Sequence, residues 1–216
     1  MQKRSAPDET KARIIRTAGE VFGAYGFNGT TVRQITEKAG VNVAAVNYHF
    51  QDKFELYVRV LREAKEWTQD VAVMEFSGSP EEQLRDFIFA FVRHLLDPNR
   101  PVWHVQVITH EMQQPTPALD VLIRELTEPL FNQVRSLAGA VCAVPLSDMN
   151  LDLLASSIVG QCLFYVRSRP MIERLCPELN SGPERIDRIA HHISTFSLAA
   201  LHGVFNESSQ PALPQP

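Results

Sequence analysis

The chain is poor in the features that mark disulfide scaffolds, zinc sites and membrane proteins. Its 216 residues contain three cysteines, Cys142, Cys162 and Cys176, and their spacing matches no zinc motif. The odd number and the lack of a recognisable signal peptide lead us to expect reduced thiols in a cytoplasm. The longest uncharged apolar stretches, 153–166 and 190–206, are too short or too polar for a membrane span. We expect them to form buried helices.

Catalytic and cofactor motifs are missing as well. The segment at His110 and Glu111 begins like the zinc-protease motif H-E-x-x-H, but Gln114 stands where the second histidine is needed. His104 and His110 are six residues apart and do not share a helix face well. The sequence has no G-x-S-x-G motif, phosphate-binding loop or dinucleotide fingerprint. We therefore expect neither an enzyme nor a cofactor nor a bound metal, with a metal sensor as an open alternative.

What is present is a succession of helical patterns. Apolar residues recur every three or four positions, and no alternation typical of strands stands out. The sequence predicts an all-α protein of about nine to ten helices. We expect a three-helix head over residues 8–53, a larger helical body over 54–206, and a disordered tail over 207–216. Pro129 is expected to bend or interrupt a long helix over 118–141.

The most informative segment is residues 30–53, TTVRQITEKAGVNVAAVNYHFQDK. Its first helix has Val32, Ile35 and Ala39 on one face. Thr31 and Gln34 fit a capping box at the start of that helix. Gly40 fits its end, because glycine readily adopts the left-handed conformation that often stops a helix.

The second helix of this segment is capped by Asn42 and turns Val46 and Phe50 inward. Five residues remain for its outer face: Ala44, Ala45, Asn47, Tyr48 and His49. Two alanines beside polar and aromatic residues allow a backbone to approach a DNA groove closely. This pattern is typical of a helix-turn-helix, in which the second helix reads base edges in the major groove.

The segment from about Thr10 to Leu61 resembles the DNA-binding domain of the TetR family of transcriptional repressors. The resemblance lies in an ordered set of residues: Ala18, Phe22, Gly26-Phe27, Thr30-Thr31-Val32, Ile35, Ala39-Gly40-Val41, Tyr48-His49-Phe50 and Lys53. Val43 and Asn47 depart from the pattern, since Lys or Arg and Tyr are frequent there, so base specificity does not carry over. Residues 110–131 and 156–175 are similar to the C-terminal domain of the CerR-like branch, which implies a regulator linked to resistance or efflux.

The charge is unevenly distributed and agrees with DNA binding by the head. The whole chain has a net charge of −4, but residues 1–65 hold 11 Lys and Arg against 7 Asp and Glu. The head is therefore at +4 and the remainder at −8. A basic head on an acidic body suits a protein that contacts phosphates with one end only.

Individual roles in DNA binding follow from side-chain chemistry and from the resemblance. Arg33 falls at the family's base-reading arginine and can pair bidentately with guanine. Asn47 can pair with adenine or contact a phosphate. Tyr48, His49 and Lys53 are expected to contact phosphates, although His49 could instead pack against Phe50. The predicted DNA-binding set is Thr31, Arg33, Asn42, Ala44, Ala45, Asn47, Tyr48, His49 and Lys53.

The body is expected to bind a small organic effector and to dimerise. Polar residues on apolar helices suggest a pocket with a few oriented polar groups. The candidate effector contacts are Trp67, Trp103, His104, Val107, His110, Glu111, Phe131, Gln161, Phe164 and Tyr165. Two late helices, near 151–169 and 185–205, are expected to form a four-helix dimer interface. Its candidate residues are Ser156, Gly160, Ile189, Ile193, Phe196 and Ala200.

Together these features predict a homodimeric, cytoplasmic repressor that binds a palindromic operator and is released by a hydrophobic effector. Its partners would be double-stranded DNA, a second copy and the effector, with no membrane. Two alternatives stay open. One is an effector-independent DNA-binding regulator controlled by a protein partner. The other is a transcriptional activator.

Overall fold

The structure is a computed structural model that describes residues 6–142 and 145–203, apart from the side chains of residues 6, 7, 66–70 and 126. The described residues form helices and turns and contain no strand. The helices are α1 (Ala6–Tyr25), α2 (Val32–Ala39), α3 (Val43–Phe50), α4 (Lys53–Ala72), α5 (Pro80–Leu95), α6 (Val102–Gln113), α7 (Ala118–Leu122), α8 (Glu128–Val141), α9 (Asp148–Arg167), α10 (Arg169–Leu175) and α11 (Arg185–Gly203). The prediction of an all-α protein is confirmed.

The helical segment around Pro129 is continuous but irregular. A π-helical turn, Ile123–Thr127, joins α7 to α8, and Pro129 is the second residue of α8. Proline has no amide hydrogen and its ring crowds the carbonyl four residues earlier, which here belongs to Glu125. A wider turn just before the proline relieves that crowding. The sequence therefore locates the irregularity correctly to within a few residues.

The chain divides into two compact units, each with its own core. Unit 1 comprises Met1–Gln69 and Asn99–Glu128. Its core combines residues of α1 to α4 with residues of α6 and α7, among them Phe22, Ile35, Tyr57, Val107 and Ala118. This division differs from the predicted boundary after residue 53. It differs because the buried faces of α4, α6 and α7 complete the core under the helix-turn-helix.

Close packing of α1 on α6 explains why α6 belongs to unit 1. A Cβ built on Gly19 of α1 would lie 2.4 Å from Cε3 of Trp103, and one on Gly23 would lie 3.1 Å from Oε1 of Gln106. Glycine at these positions lets the two helix backbones approach closely. The indole of Trp103 lies over Gly19 and is itself buried.

Unit 2 comprises Asp70–Pro98 and Pro129–Pro216. Its core is built from α5, α8, α9 and α11, with Phe87, Val134, Ile158 and Ile193 among the buried residues. Ser79 caps α5 through a capping box with Glu82, as the pattern S-P-E-E predicts. Arg93 on α5 forms an ion pair with Asp187 on α11 (2.8 Å).

Candidate nucleic-acid interface

Both predicted ends of α2 are confirmed. The Thr31 amide donates to Oε1 of Gln34 (2.7 Å), and the Gln34 amide donates to Oγ1 of Thr31 (3.2 Å). At the other end Gly40 is left-handed, with φ of 65°, and the Val41 amide donates to the carbonyl of Thr36 (3.0 Å). These caps fix the turn between α2 and α3 and so set the direction in which α3 leaves the core.

The outer face of α3 is largely exposed and is accessible to a DNA groove. Asn42 caps the helix by accepting from the Ala45 amide (2.9 Å), as predicted. Val46 and Phe50 are buried in the unit 1 core. Ala44, Asn47 and Tyr48 are exposed, Tyr48 to 82%. An exposed aromatic surface of this size suits a contact with another molecule.

Two predicted contacts on α3 are only half-exposed. Ala45 packs partly against the unit 1 core. The ring of His49 lies 5.0 Å from that of Tyr48 and 5.9 Å from that of Phe50, between ring centroids. The alternative placement of His49 against Phe50 therefore applies, with its outer edge still accessible.

Arg33 projects from the start of α2, with 84% of its side chain exposed. Its Nε donates to Oε1 of Glu37 at 2.7 Å, one helical turn further along. This bond raises the pKa of the guanidinium above its ordinary value. Glu37 is not among the residues predicted from the sequence. Its opposite charge four residues after Arg33 is the pattern that indicates an ion pair on a helix.

Lys53 differs from the expectation of a simple phosphate contact. Its ammonium donates to the carbonyls of Phe27 (2.8 Å) and Thr30 (2.9 Å) and lies 4.1 Å from the centroid of the Phe27 ring. The side chain therefore ties the start of α4 to the turn between α1 and α2. An ammonium has three donors, and two are already engaged within the chain. Lys53 first positions the helix-turn-helix, and at most one of its hydrogens is left for a phosphate.

The junction between α3 and α4 is tight. Gln51 has φ of 63° and ψ of −59°, which only glycine adopts without strain. The Asp52 amide donates to the Phe50 carbonyl (2.7 Å), closing a γ-turn around Gln51. Asp52 then caps α4 by accepting from the Glu55 amide (2.9 Å). The recognition helix is thus held at both ends by short-range hydrogen bonds.

The predicted effector contacts are divided between the two units. Trp103, His104, Val107, His110 and Glu111 lie on α6 in unit 1, and the first three and Glu111 are buried in that unit. Phe131, Gln161, Phe164 and Tyr165 belong to unit 2. The side chain of Trp67 lies outside the described residues. Helical spacing shows that a helix face is apolar, but it does not show which neighbouring element covers that face. Here α1 of the head covers α6.

Glu111 is a fully buried member of the α6 set. Its side chain is 0% exposed, and its carboxylate accepts from the Tyr57 hydroxyl (2.8 Å) and from the Thr116 amide (2.8 Å) and hydroxyl (3.0 Å). Burial and the bond to Glu111 raise the pKa of Tyr57. The carboxylate is occupied by internal donors and is a structural group of unit 1.

His104 is likewise internal, at 4% exposure. Burial, with a smaller contribution from the charge of Arg100, lowers the pKa of His104 to about 4. The imidazole is therefore neutral at pH 7.

The predicted dimer residues separate into an exposed and a buried set. Ser156, Gly160 and Phe196 are exposed and Ala200 is partly exposed. Ile189 and Ile193 are instead buried in the unit 2 core, at 5% and 1% exposure. These two residues are not available to a partner, because α11 packs against α5 and α9 within the chain and buries them.

The exposed face of α9 extends beyond the residues picked from the sequence. Met149, Leu153 and Phe164 are exposed large apolar residues, and with Ser156 and Gly160 they recur every three or four positions. They therefore lie along one face. Phe164 belongs to this face rather than to an enclosed site. The prediction of a buried helix is wrong for α9 on this side.

Helix α9 is also the one described helix long and apolar enough to cross a membrane by length and composition. It carries Asp148 and Asp152, and both pair with Arg135 on α8.

Comparison with known proteins agrees with this geometry. Residues 14–60 match the tetR family of bacterial regulatory proteins. Residues 80–201 match the C-terminal domain of the HTH-type transcriptional dual regulator CecR. The chain belongs to the TetR family of transcriptional regulators, and its C-terminal region belongs to the CecR type. The branch expected from residues 110–131 and 156–175 is therefore that of CecR.

Individual relatives and structures support the same assignment. CecR of Shigella flexneri is 26% identical over 174 residues, covering 73% of this chain and 76% of the relative. The regulator RutR of Escherichia coli strain K12 is 27% identical over 175 residues, covering 79% and 81%. A TetR-like transcriptional regulator from Rhodococcus sp. RHA1 has the same fold, with a TM-score of 0.64 at 17% identity over 94% of this chain and 100% of that one. The chain is thus a DNA-binding transcriptional regulator and not an enzyme.

Proposed function

We propose that this regulator is a cytoplasmic homodimer that represses transcription from a palindromic operator and is released by a small, largely apolar effector. In each head α3 enters the major groove. Arg33 pairs with a guanine, and Asn47 contacts a base or a phosphate. Tyr48 and the outer edge of His49 contact phosphates. Thr31 caps α2, and Lys53 ties the start of α4 to the turn before α2.

The main support for a dimer is the apolar face of α9, which is exposed in the single chain. Met149, Leu153 and Phe164 on this face are exposed at 68%, 59% and 46%, so the single chain leaves them in contact with water. Apolar side chains on one exposed helix face are a common sign of a protein interface. A twofold axis would bring the same face of a second copy against it. Phe196 on α11, 58% exposed, would contribute to the same interface.

Small residues make this face suited to helix packing. Beyond its own helix backbone and chain neighbours, a Cβ built on Gly160 meets no described atom within 4 Å. Among the described residues, no other element packs against Gly160. Together with Ser156 it would let a neighbouring helix approach closely, as in the four-helix interface predicted from the sequence.

An effector site in unit 2 is supported by half-buried and unpaired polar groups. Phe131, Gln161 and Tyr165 are partly exposed around the unit 2 core. Oε1 of Gln133 and Oγ of Ser197 are buried without a hydrogen-bond partner among the described residues. Buried polar atoms normally find a partner, and a ligand or a water molecule could supply it. An aromatic, mainly apolar compound with one or two polar atoms fits these groups.

Regulation would follow from the dimer geometry. Two heads must reach major grooves about one helical turn, ~34 Å, apart, so a change in their separation lowers operator affinity. An effector that binds the DNA-incompetent form more tightly must itself be bound more weakly when operator is present, by the same factor.

Operator selection followed by mobility-shift titration tests the proposal. We expect one dimer per palindromic duplex, much weaker binding to a half-site, and affinity that falls steeply with salt as counterions are released. Equal affinity per site for the half-site duplex, or binding that does not depend on salt, would contradict it. Calorimetry of thermal-shift hits with and without operator then tests the effector. Equal affinity in both conditions excludes a compound as an inducer.

Activation is a second candidate, because the relative CecR is described as a dual regulator. The discriminating measurement is transcription from promoters that carry the selected operator at different positions. Repression when the operator overlaps the promoter, without activation when it lies upstream, supports the repressor.

A further inference from the structure

The contact between Arg33 and Glu37 on α2 is the basis of this inference. Both side chains are exposed, at 84% and 63%. The carboxylate engages Nε, and the two terminal nitrogens of the guanidinium have no hydrogen-bond partner among the described residues. We propose that Glu37 is a specificity-determining positioning residue, which holds Arg33 so that its terminal nitrogens face a guanine.

The chemistry of the guanidinium supports this role. It has five N–H donors in a planar fork. With Nε held from behind, the two terminal nitrogens present parallel N–H bonds, a geometry that matches O6 and N7 of guanine in the major groove. A long flexible side chain fixed before binding loses less freedom when it meets its base. Glu37 thus acts through Arg33 and needs no DNA contact of its own.

The same carboxylate has an opposite effect on affinity. A negative charge beside the DNA backbone repels phosphates on every duplex, whatever its sequence. Removing the charge should therefore strengthen binding to all duplexes by a similar factor. Removing the hydrogen bond should selectively weaken the preference for guanine. These two effects can be separated. Loss of the charge changes the affinity for every duplex, whereas loss of the hydrogen bond changes the ratio of affinities for guanine and for the other bases.

Two variants separate them experimentally. Glu37→Ala removes both charge and acceptor, and Glu37→Gln removes the charge but keeps an oxygen that can accept from Nε. All three residues are good helix formers, so α2 is expected to persist. The measurement is competition binding to four operators that differ only at the base pair read by Arg33, and the readout is the ratio of affinities for guanine and for the other bases. We expect Glu37→Ala to lower the ratio about two- to fivefold while raising affinity for random duplex.

Glu37→Gln should also raise affinity for random duplex but keep the ratio near that of the unchanged protein. The matched control is Glu20→Ala, which removes an exposed carboxylate paired with Lys38 (2.9 Å) on the same unit. This control should leave the ratio unchanged. An unchanged ratio in Glu37→Ala would overturn the inference, and so would an equal loss in both Glu37 variants.

The inference rests on the base-reading role proposed for Arg33, and the two can fail separately. Arg33→Ala should reduce the ratio about tenfold or more, and adding Glu37→Ala to it should cause no further loss. If Arg33→Ala leaves the preferred base unchanged, the base-reading role itself is wrong. If Arg33→Ala removes the preference and Glu37→Ala does not lower it, only the positioning role of Glu37 is wrong.

Discussion

Helices α6 and α9 look alike in sequence but differ in what covers them. Both are mostly apolar with a few polar residues, and both supplied candidate functional residues. Helix α6 is covered by its own unit: Trp103 lies over Gly19, and Glu111 is enclosed by Tyr57 and Thr116. Helix α9 keeps Met149, Leu153 and Phe164 exposed. A buried polar residue on such a helix can be purely structural, while an exposed apolar one indicates a partner.

This difference predicts opposite responses to mutation. Changes on α6 or its neighbours should lower the stability of the chain itself. Changes on the exposed face of α9 should leave the chain stable and alter its association.

The largest effect on stability is expected where α1 meets α6. Gly19→Leu would push a side chain into the indole of Trp103, since even a Cβ there lies 2.4 Å from the ring. Overpacking of this kind costs about 3 kcal/mol of unfolding free energy. Urea denaturation measures the loss, and Ala24→Leu, at an exposed position of the same helix, is the control. Equal stability of the two variants would show that α6 does not pack on α1 in this way.

The hydrogen bond between Tyr57 and Glu111 is the next most sensitive point. Tyr57→Phe keeps the ring but removes a donor from a buried carboxylate, which costs about 2–3 kcal/mol. Chemical denaturation of this variant, compared with Tyr25→Phe at an exposed tyrosine, checks the prediction. A loss no greater than that of the control would show that the buried carboxylate of Glu111 does not depend on the Tyr57 hydroxyl.

Acid should destabilise the protein through His104. The pKa of this residue is lowered to about 4 by burial, while in the unfolded chain it is near its ordinary value of 6.5. Below pH 6.5 the unfolded chain therefore takes up a proton that the folded chain excludes. The stability that the neutral His104 contributes is fully present above pH 6.5 and is lost as the pH falls towards 4. By pH 5 the free energy of unfolding is lower by about 2 kcal/mol.

Acid destabilisation through His104 is tested by measuring how far the unfolding free energy drops from pH 7 to pH 5. The measurement is made on the unchanged protein, on His104→Gln and on His192→Gln. The first variant should show a smaller drop, and the second, at an exposed histidine, should behave like the unchanged protein. Equal pH dependence in all three proteins would exclude a buried neutral His104.

The smallest effect on stability is expected on α9. In a monomeric background, Leu153→Ser should change the unfolding free energy by no more than about 0.5 kcal/mol, because the side chain is already in water. Val107→Ser on α6, fully buried, should cost several times more in the same background. Similar losses at both sites would show that α9 is covered within the chain.

Sequence reasoning was most successful where the chemistry is local. Caps such as Thr31, Asn42 and Ser79 depend on neighbours within four residues, and their structures match the pattern. The reason is that the capping side chain accepts a hydrogen bond from a backbone amide in the first turn of its own helix.

Residues whose role depends on distant partners were harder to place. Lys53 is predicted to contact a phosphate, but its bonds to Phe27 and Thr30 span more than 20 residues of sequence. Ile193 fits an interface pattern and also a core pattern, and only the fold decides between them. Periodicity identifies apolar faces, whereas their coverage depends on packing that no local pattern contains.

Sedimentation of Gly160→Glu is the most direct test of the central claim, that the exposed face of α9 is covered by a second copy. Beyond the backbone of its own helix and its two chain neighbours, no described atom lies within 4 Å of a Cβ built at Gly160, so the variant should fold normally. Ala140→Glu places the same charge on an exposed position of α8 and serves as the control. We expect a folded monomer without operator binding for Gly160→Glu and a dimer with normal binding for Ala140→Glu. A Gly160→Glu protein that sediments as a dimer and still binds the palindromic operator would contradict it.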